Sequence, residues 1–522
     1  MCGIAGIKGV LANKKTLNKM LQRISHRGES IYQQESLLLD KLTIGMNRLA
    51  IVDEEHGVQP ASYNNEVFCV FNGEIYNYQI LKQELSSYYD FQGSCDTEVL
   101  LKSYLHWGID FLNKLDGKFA FCLVDIKTNT MLLARDHIGI KPLYYAMFEN
   151  NLFFSSEMKS FCELPFIDEI KILPPGTYWL NGVEKKYYDI PEYFINYEDP
   201  KIILTGIKSR LIDAVYKRIP RESKKIACLL SGGIDSSIIT YIANKYHNNV
   251  EAFTFANPNS HSSDLESAKL LCQTLNIKHI IVSPTEQELK SFYLKYGVYM
   301  AESYESVLVR NAVSYYFVCR SVKEKGYKYV LNGEGADELF GGYAFFKEVS
   351  KANRDIEIRN SLLNIHQTYL HMADRASMYT TIEARVPFMD KEFIKYCMGM
   401  PSSFRINGIC EKWALREIFK NELPDIIVKR PKIGMNEGSG FGRNVSGESI
   451  YYEAVKEYYE INNIEKKKDL AACEQYTSLF KINLDDIEEI YNFARFIEYK
   501  YTRYAGSKIR LQLNTHLISY AS

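Results

Sequence analysis

Short apolar stretches broken by turn residues run through the first 190 residues, among them Glu66–Phe71, Lys118–Asp125, Met131–Ala134 and Leu152–Ser155. Their length and β-branched or aromatic content predict strands. Helical spacing of apolar positions is confined mainly to Thr16–Ile24, Tyr78–Leu85 and Thr97–Trp107. Many strands with few helices predict packed sheets with helical layers. Past residue 205 the pattern alternates. Ile226–Leu230, Glu251–Phe255, His279–Val282 and Tyr327–Leu331 read as strands. Ser236–Tyr246, Leu265–Leu275 and Asn311–Glu324 read as helices between them. Alternation of this kind predicts βαβ crossovers and a parallel sheet, with ligands bound beyond the carboxyl ends of its strands. From residue 356 onward helical period prevails. Tyr188–Pro200, with two prolines, reads as a linker, so the expected domains are 1–195 and 205–522.

Composition narrows the function classes. With 63 basic and 64 acidic residues among 522, the net charge is −1, which argues against a nucleic-acid binder working through bulk charge. No apolar run nears the roughly 20 residues needed to span a bilayer, and the N-terminus lacks the pattern of a signal peptide. Eleven cysteines without a CxxC pair read as reduced thiols, and the expected location is cytoplasmic. The 39 tyrosines have no functional reading.

Two constellations carry chemistry. The chain opens MCGIAG, and removal of Met1 leaves Cys2 with an α-amine beside its thiol. An amine titrating near about 7.7–8.0 can serve as base for a thiol near about 8.5, which suits acyl transfer. Arg48 is of the type that clamps a carboxylate, Asn72 and Gly73 can supply an oxyanion hole, and Glu74 and Asp96 can hold an ammonium group. Each is weak alone, since Asn-Gly also starts hairpins and a surface Arg is usually solvated. The second constellation is SGGIDSS, Ser231–Ser237, between a strand and a helix. Its glycines, Gly232 and Gly233, form an anion-binding turn at a helix N-terminus. Ser231, Ser236 and Ser237 add hydroxyl donors, and Asp235 can hold Mg²⁺. No GxxxxGK[ST] occurs, which excludes a Walker-type loop.

With HRGES (His26–Ser30), RDHIGIKPLYY (Arg135–Tyr145), SSEMKS (Ser155–Ser160) and LPPGTYW (Leu173–Trp179), the first 190 residues resemble the glutaminase half of class II glutamine amidotransferases. The resemblance implies an αββα sandwich of the N-terminal-nucleophile type. It also implies that Cys2 attacks the glutamine amide, Arg48 binds the α-carboxylate, Asn72 and Gly73 form the oxyanion hole, and Glu74 and Asp96 hold the α-amine. The chain has Glu29-Ser30 where that family usually has Pro-Asp, and Cys95 where Ser is usual.

SGGxDSS is similar to the pyrophosphate loop of ATP pyrophosphatases, which implies an α/β parallel-sheet domain with a helical C-terminal part. It further implies adenylation of a carboxylate followed by displacement of AMP by ammonia. LNGEGADELFGGY places Glu334, Asp337 and Glu338 at the next strand end, where Mg²⁺ would offset the charge beside a triphosphate. Together with ADRASMYTTIEARVPFMD (Ala373–Asp390), residues 1–445 resemble the glutamine-hydrolysing asparagine synthetase family. By that resemblance Leu230, Phe255, Asn332 and Gly333 line the ATP site with the SGGIDSS loop, and Asp235 binds Mg²⁺. Arg310 and Lys432 contact phosphate or the acyl-AMP, and Glu334 and Asp337 lie near the acceptor; as a carboxylate at that strand end, Glu334 can also take a proton from the attacking amine. The implied partners are small molecules: glutamine, ATP and a carboxylate acceptor, L-aspartate by default. The family's Thr-Thr pair ahead of the arginine is Val307-Leu308 here, which leaves a sugar uronate or another biosynthetic carboxylate as the alternative acceptor. The complete set of site residues argues against a non-catalytic regulator. Residues 450–522 read as a helical tail that either packs on its own domain or forms the surface of a homodimer.

Overall fold

Alternating apolar positions in the first part of the chain close two antiparallel sheets on one another. The computed structural model describes residues 2–503 except 30–34, 52–56, 193–198, 221–222, 261, 442–448, 478 and 481. It divides into two units, Met1–Asp189 with a return segment beginning at Tyr499, and Ile190–Glu498. A linear boundary near residue 200 does not contain that return. Of the linker Tyr188–Pro200, residues 193–198 lie outside the described set.

In the first unit one six-stranded sheet runs Lys171–Ile172, Tyr144–Phe148, Asn151–Ser155, Gly3–Lys8, Leu42–Asn47, Glu35–Leu39. The other runs Val183–Lys186, Thr177–Leu180, Thr130–Arg135, Gly117–Asp125, Val67–Ile75, Ala61–Tyr63. Ile4, Ile44, Met46, Val70, Cys122, Leu133 and Phe154 form the core between them. The helix Lys14–Arg23 buries Leu17, Met20 and Leu21, and it begins at Lys14 because the Asn13 side chain accepts from the Thr16 amide at 2.8 Å. Tyr78–Leu85 and Asp96–Trp107 cover the second sheet through Leu81, Val99 and Leu100. This is the αββα sandwich.

The second unit holds a five-stranded parallel sheet in the order Lys278–Val282, Val250–Phe255, Ile226–Leu229, Tyr329–Leu331, Glu383–Arg385. Its strands run into Leu230–Gly233, Ala256 and Asn332–Gly335 at one end. The fifth strand lies inside the stretch whose period reads as helical. Its three residues are too short and too charged to signal a strand, and Glu383 and Arg385 are buried because they pair at 2.7 Å. The tail as far as Glu498 packs on its own unit. Tyr304 meets Phe493 and Phe496 at ring separations of 5.0 and 5.1 Å, and Tyr293 meets Tyr451 at 4.9 Å.

Candidate functional sites

In the first unit the strand Gly3–Lys8 begins one residue after Cys2, which is buried at the end of the inter-sheet core. The Cys2 amide nitrogen donates to Asn72 Oδ1 at 3.1 Å, and Cys2 oxygen accepts from Arg27 Nε at 3.1 Å. Both bonds fix the backbone on either side of the thiol. Asn72 is fully buried, and its Nδ2 has no hydrogen-bond partner among the described residues. An unpaired buried amide costs about 1–3 kcal/mol, so this donor has a capacity that the described residues leave unused. Gly73 follows on the same strand, where a Cβ would strike Lys118 oxygen at 2.3 Å; only glycine lets the neighbouring strand pair so closely.

Glu74 lies 3.9 Å from the ammonium of fully buried Lys118. Asp96 opens the helix Asp96–Trp107 and accepts from the Ile75 amide at 3.0 Å, which ties it to the strand carrying Asn72. Arg48 is buried just beyond Leu42–Asn47, and its carbonyl accepts from the Glu29 amide at 2.8 Å. The Gly28 backbone packs so tightly that a Cβ would meet Arg48 nitrogen at 2.9 Å. The described part of HRGES, His26–Glu29, thus supports Arg48, and it does so with Glu29 in place; Ser30 lies outside the described residues.

Sequence reasoning did not single out Glu157. It is fully buried, binds Arg27 Nη1 at 2.6 Å and His26 Nε2 at 3.1 Å, and also pairs with Lys159. Burial opposes its charge, but His26, Lys159 and Arg27 outweigh that and hold its pKa well below the usual carboxylate range. Burial in turn lowers the pKa of His26. Through Arg27 this cluster anchors the Cys2 carbonyl. Its signal lay in two motifs far apart in sequence, HRGES and SSEMKS.

In the second unit the helix Ile234–Tyr246 starts directly after Gly233. Ser231 and Ser236 hydroxyls lie 3.1 Å apart, the Gly233 amide donates to Ser231 Oγ at 3.3 Å, and the Ser237 hydroxyl is buried without a partner among the described residues. Gly232 has φ +73°, and a Cβ there would meet Asp264 oxygen at 2.7 Å. A Cβ on Gly333 would meet Ser236 nitrogen at 2.9 Å, so the two glycine turns rest on each other. Leu230 is buried beneath the first turn and its carbonyl accepts from Thr254 Oγ1 at 2.6 Å. Phe255 stacks near Phe441 at 4.8 Å, and the Asn332 side chain donates to Tyr315 Oη.

Asp235, Asp337 and Lys432 come together with a residue that sequence reasoning missed, Lys412. Its ammonium, 1% exposed, lies 2.6 Å from both Asp235 and Asp337, and Lys432 Nζ binds Asp337 at 2.7 Å. Burial raises the pKa of Asp235, partly countered by Lys412. For Asp337 burial is outweighed by Lys412 and Lys432, so its pKa falls below the ordinary value. Glu334 is pushed up to about 8 by burial and then by the Glu338 charge, and Glu338 is raised to about 7 by burial and Asp337. Arg430, also missed, pairs with Asp264, whose pKa burial raises to about 6.

Mg²⁺ fits what the chain provides. Asp235 Oδ1 is buried without a hydrogen bond among the described residues, and magnesium typically takes one or two carboxylates with the rest from phosphate and water. Among the described residues no group of three or more His, Cys, Asp or Glu forms an all-protein metal cage. Arg310 has a carboxylate partner of its own. Its Nε binds Glu488 at 2.8 Å and its Nη2 binds the second oxygen of the same carboxylate, with Tyr293 Oη donating to Glu488 at 2.6 Å. The arginine expected on phosphate or acyl-AMP is thus held by Glu488 in the ligand-free chain. Leu308 is buried on the same helix and Val307 is half-buried.

Among the described residues no helix is long and apolar enough to cross a membrane. A glutamine amidotransferase domain model matches residues 1–182, and an asparagine synthase model matches residues 206–362 and 357–457. The chain is 34% identical over 470 residues to the glutamine-hydrolyzing asparagine synthetase B of Escherichia coli, covering 84% of this chain and 83% of that one. It is 30% identical to asparagine synthetase 2 of Arabidopsis thaliana over 84% of this chain and 79% of the relative. A putative asparagine synthetase of Methanocaldococcus jannaschii is 29% identical, over 88% and 96%.

Proposed function

Since the chain belongs to the glutamine-hydrolysing asparagine synthetase family, we propose that it converts L-aspartate to asparagine, taking ammonia from glutamine and splitting ATP to AMP and pyrophosphate. One observation carries the reading: a nucleophile held by Asn72 and a lysine-bridged carboxylate cluster beneath two glycine turns occur in the same chain.

In the glutaminase half, the Cys2 α-amine freed by loss of Met1 takes the thiol proton, and the sulfur attacks the glutamine side-chain amide. Negative charge on the carbonyl oxygen is received by Asn72 Nδ2 and the Gly73 amide. Arg48 holds the substrate carboxylate, and Glu74 and Asp96 hold its ammonium group. Ammonia leaves, and water cleaves the thioester to glutamate. In the synthetase half, Ser231–Gly233, Ser236 and Ser237 bind pyrophosphate oxygens, with Leu230, Phe255, Asn332 and Gly333 around the nucleotide. The aspartate β-carboxylate attacks the α-phosphorus and pyrophosphate departs. Ammonia then attacks the acyl carbon, Glu334 takes its proton, and AMP leaves. Asp235 and Asp337 would hold Mg²⁺, which offsets phosphate charge when bound. Lys412 and Lys432 supply positive charge beside the leaving groups.

The test is AMP formation with Mg-ATP and glutamine, with and without L-aspartate. Aspartate-dependent AMP matched one for one by asparagine is expected. Glutamine hydrolysis without aspartate-dependent AMP would sink the acceptor assignment and favour another carboxylate, in keeping with the hydrocarbon side chains of Val307 and Leu308.

A further inference from the structure

Alternation along the strand Gly3–Lys8 turns Cys2, Ile4, Gly6 and Lys8 toward the space between the two sheets. Cys2 and Ile4 belong to that core, and a Cβ on Gly6 would strike the Phe154 ring at 2.3 Å. Lys8 is cross-strand neighbour to Leu42 and Leu152, both inter-sheet residues, so its side chain leaves the strand on the same face. The strand that begins beside the nucleophile therefore ends with an ammonium group where an apolar residue would complete the alternation.

Around Lys8 the sandwich is open. A cavity of about 840 Å³ lies between the sheets, floored by Val124, Met131, Leu152 and Trp179. Its mouth lies among the hairpin ends Asp40–Lys41, Ile126–Asn129 and Asn181–Gly182. Ile126 and Met147 at this mouth are 48% and 50% exposed, so the apolar lining continues out to the rim. The volume lies within the range of small-molecule sites.

Lys8 is half-buried and has neither an ion pair nor a side-chain hydrogen bond among the described residues. Burial lowers its pKa. Fully buried Lys118 and Lys159 of the same unit each face a glutamate. Of the two rim carboxylates, Asp125 is already engaged, accepting from the Thr128 amide at 3.1 Å and Tyr104 Oη at 3.3 Å, and Asp40 is exposed to water at its hairpin end. A cation drawn off water onto an apolar floor gains most from an anion that brings its own apolar surface. Glutamine and aspartate do not suit this apolar floor, which has no place for a second charged group.

We propose that this cavity binds a small organic carboxylate with an apolar body, its carboxylate on Lys8 Nζ and its hydrocarbon or aryl part against Met131, Leu152 and Trp179. The site is separate from the residues assigned to glutamine and ATP, and the proposal stands whichever acceptor the enzyme uses. The test is calorimetric titration of the full-length protein with octanoate, 4-phenylbutyrate and the neutral octanamide, with tryptophan fluorescence followed in parallel. Saturable binding of one carboxylate per chain is expected, with a change in tryptophan emission. Lys8→Met should weaken octanoate about tenfold or more and leave octanamide unchanged. Met147→Asp, at an exposed position that does not endanger folding, should weaken both carboxylates by repulsion and leave glutaminase activity intact. Absence of saturable carboxylate binding to the unaltered protein, or equal octanoate affinity in both variants and the parent, would overturn the site.

Discussion

Asn72 carries two tasks on one side chain. Its Oδ1 holds the Cys2 nitrogen at 3.1 Å while its Nδ2 stays buried and unpaired among the described residues. Removing a donor of this kind costs roughly 10²–10³ in rate where it meets a developing oxyanion. Asn72→Ala should therefore lower glutaminase kcat by about that factor. AMP formation supported by added ammonia should stay near the parent level; a parallel loss of both activities would mean that Asn72 serves the fold. Glu334 gives a prediction of opposite kind. Its pKa of about 8 lies above its ordinary value of 4.5, so folding favours its protonated form. The stability it contributes is fully present below 4.5 and is lost as pH rises through about 8. Glu334→Gln should flatten that fall. Thermal unfolding of the nucleotide-free protein from pH about 5 to about 9 measures it, and an unchanged slope in the variant would assign the fall to other groups.

At the scale of elements, the strands of both units were legible because apolar residues fill them at a strand's period and length, as in Lys118–Asp125 and Ile226–Leu230. Both glycine turns were legible as well, because their residue types do more than a turn requires. Other features were not. Glu383–Arg385 enters the sheet as a buried ion pair, and charge hides a strand from any hydrophobic pattern. Lys412 and Glu157 join their clusters only through tertiary packing that brings distant segments together. Arg310 was legible as an arginine but not as the partner of Glu488, because that carboxylate comes from a helix 178 residues away. The turn-on-turn contact is the element most open to test. A methyl on Gly333 meets backbone nitrogen of Ser236 at 2.9 Å, and backbone cannot rotate aside as a side chain can. Gly333→Ala should abolish ATP-dependent amide formation while glutaminase activity persists. Equal AMP formation by this variant would show that the two turns can separate without loss. Glu488→Ala strands the Arg310 charge among buried tyrosines and should cost about 3–5 kcal/mol in denaturant unfolding, against a smaller loss for Glu488→Gln.

At the scale of the whole molecule, a short segment late in the chain belongs to the first unit and not to the one that holds most of the second half. From Tyr499 the chain rejoins the glutaminase unit, and Arg503 supplies the attachment. Its Nη1 donates to the carbonyls of Leu164 at 2.9 Å and Ile167 at 2.7 Å, and its Nη2 donates to Phe161 at 2.9 Å. The Arg503 carbonyl accepts from the Ile170 amide at 2.8 Å. Those carbonyls belong to the turn and loop that follow Glu157, whose partner Arg27 holds Cys2. Loss of charged donors to half-buried carbonyls costs about 2 kcal/mol, which for a unit of this size lowers its melting point by roughly 4–8 °C. Arg503→Ala should therefore lower the temperature at which glutamine hydrolysis is lost by about that amount. Ammonia-dependent AMP formation should keep its thermal profile, because the described side-chain partners of Arg503 all lie in the first unit. The comparison needs only one preparation, heated in steps and assayed for both activities. If both profiles shifted together, the two units would unfold as one and the return segment would stabilise the whole chain. If neither shifted, the attachment would add no stability to the glutaminase unit.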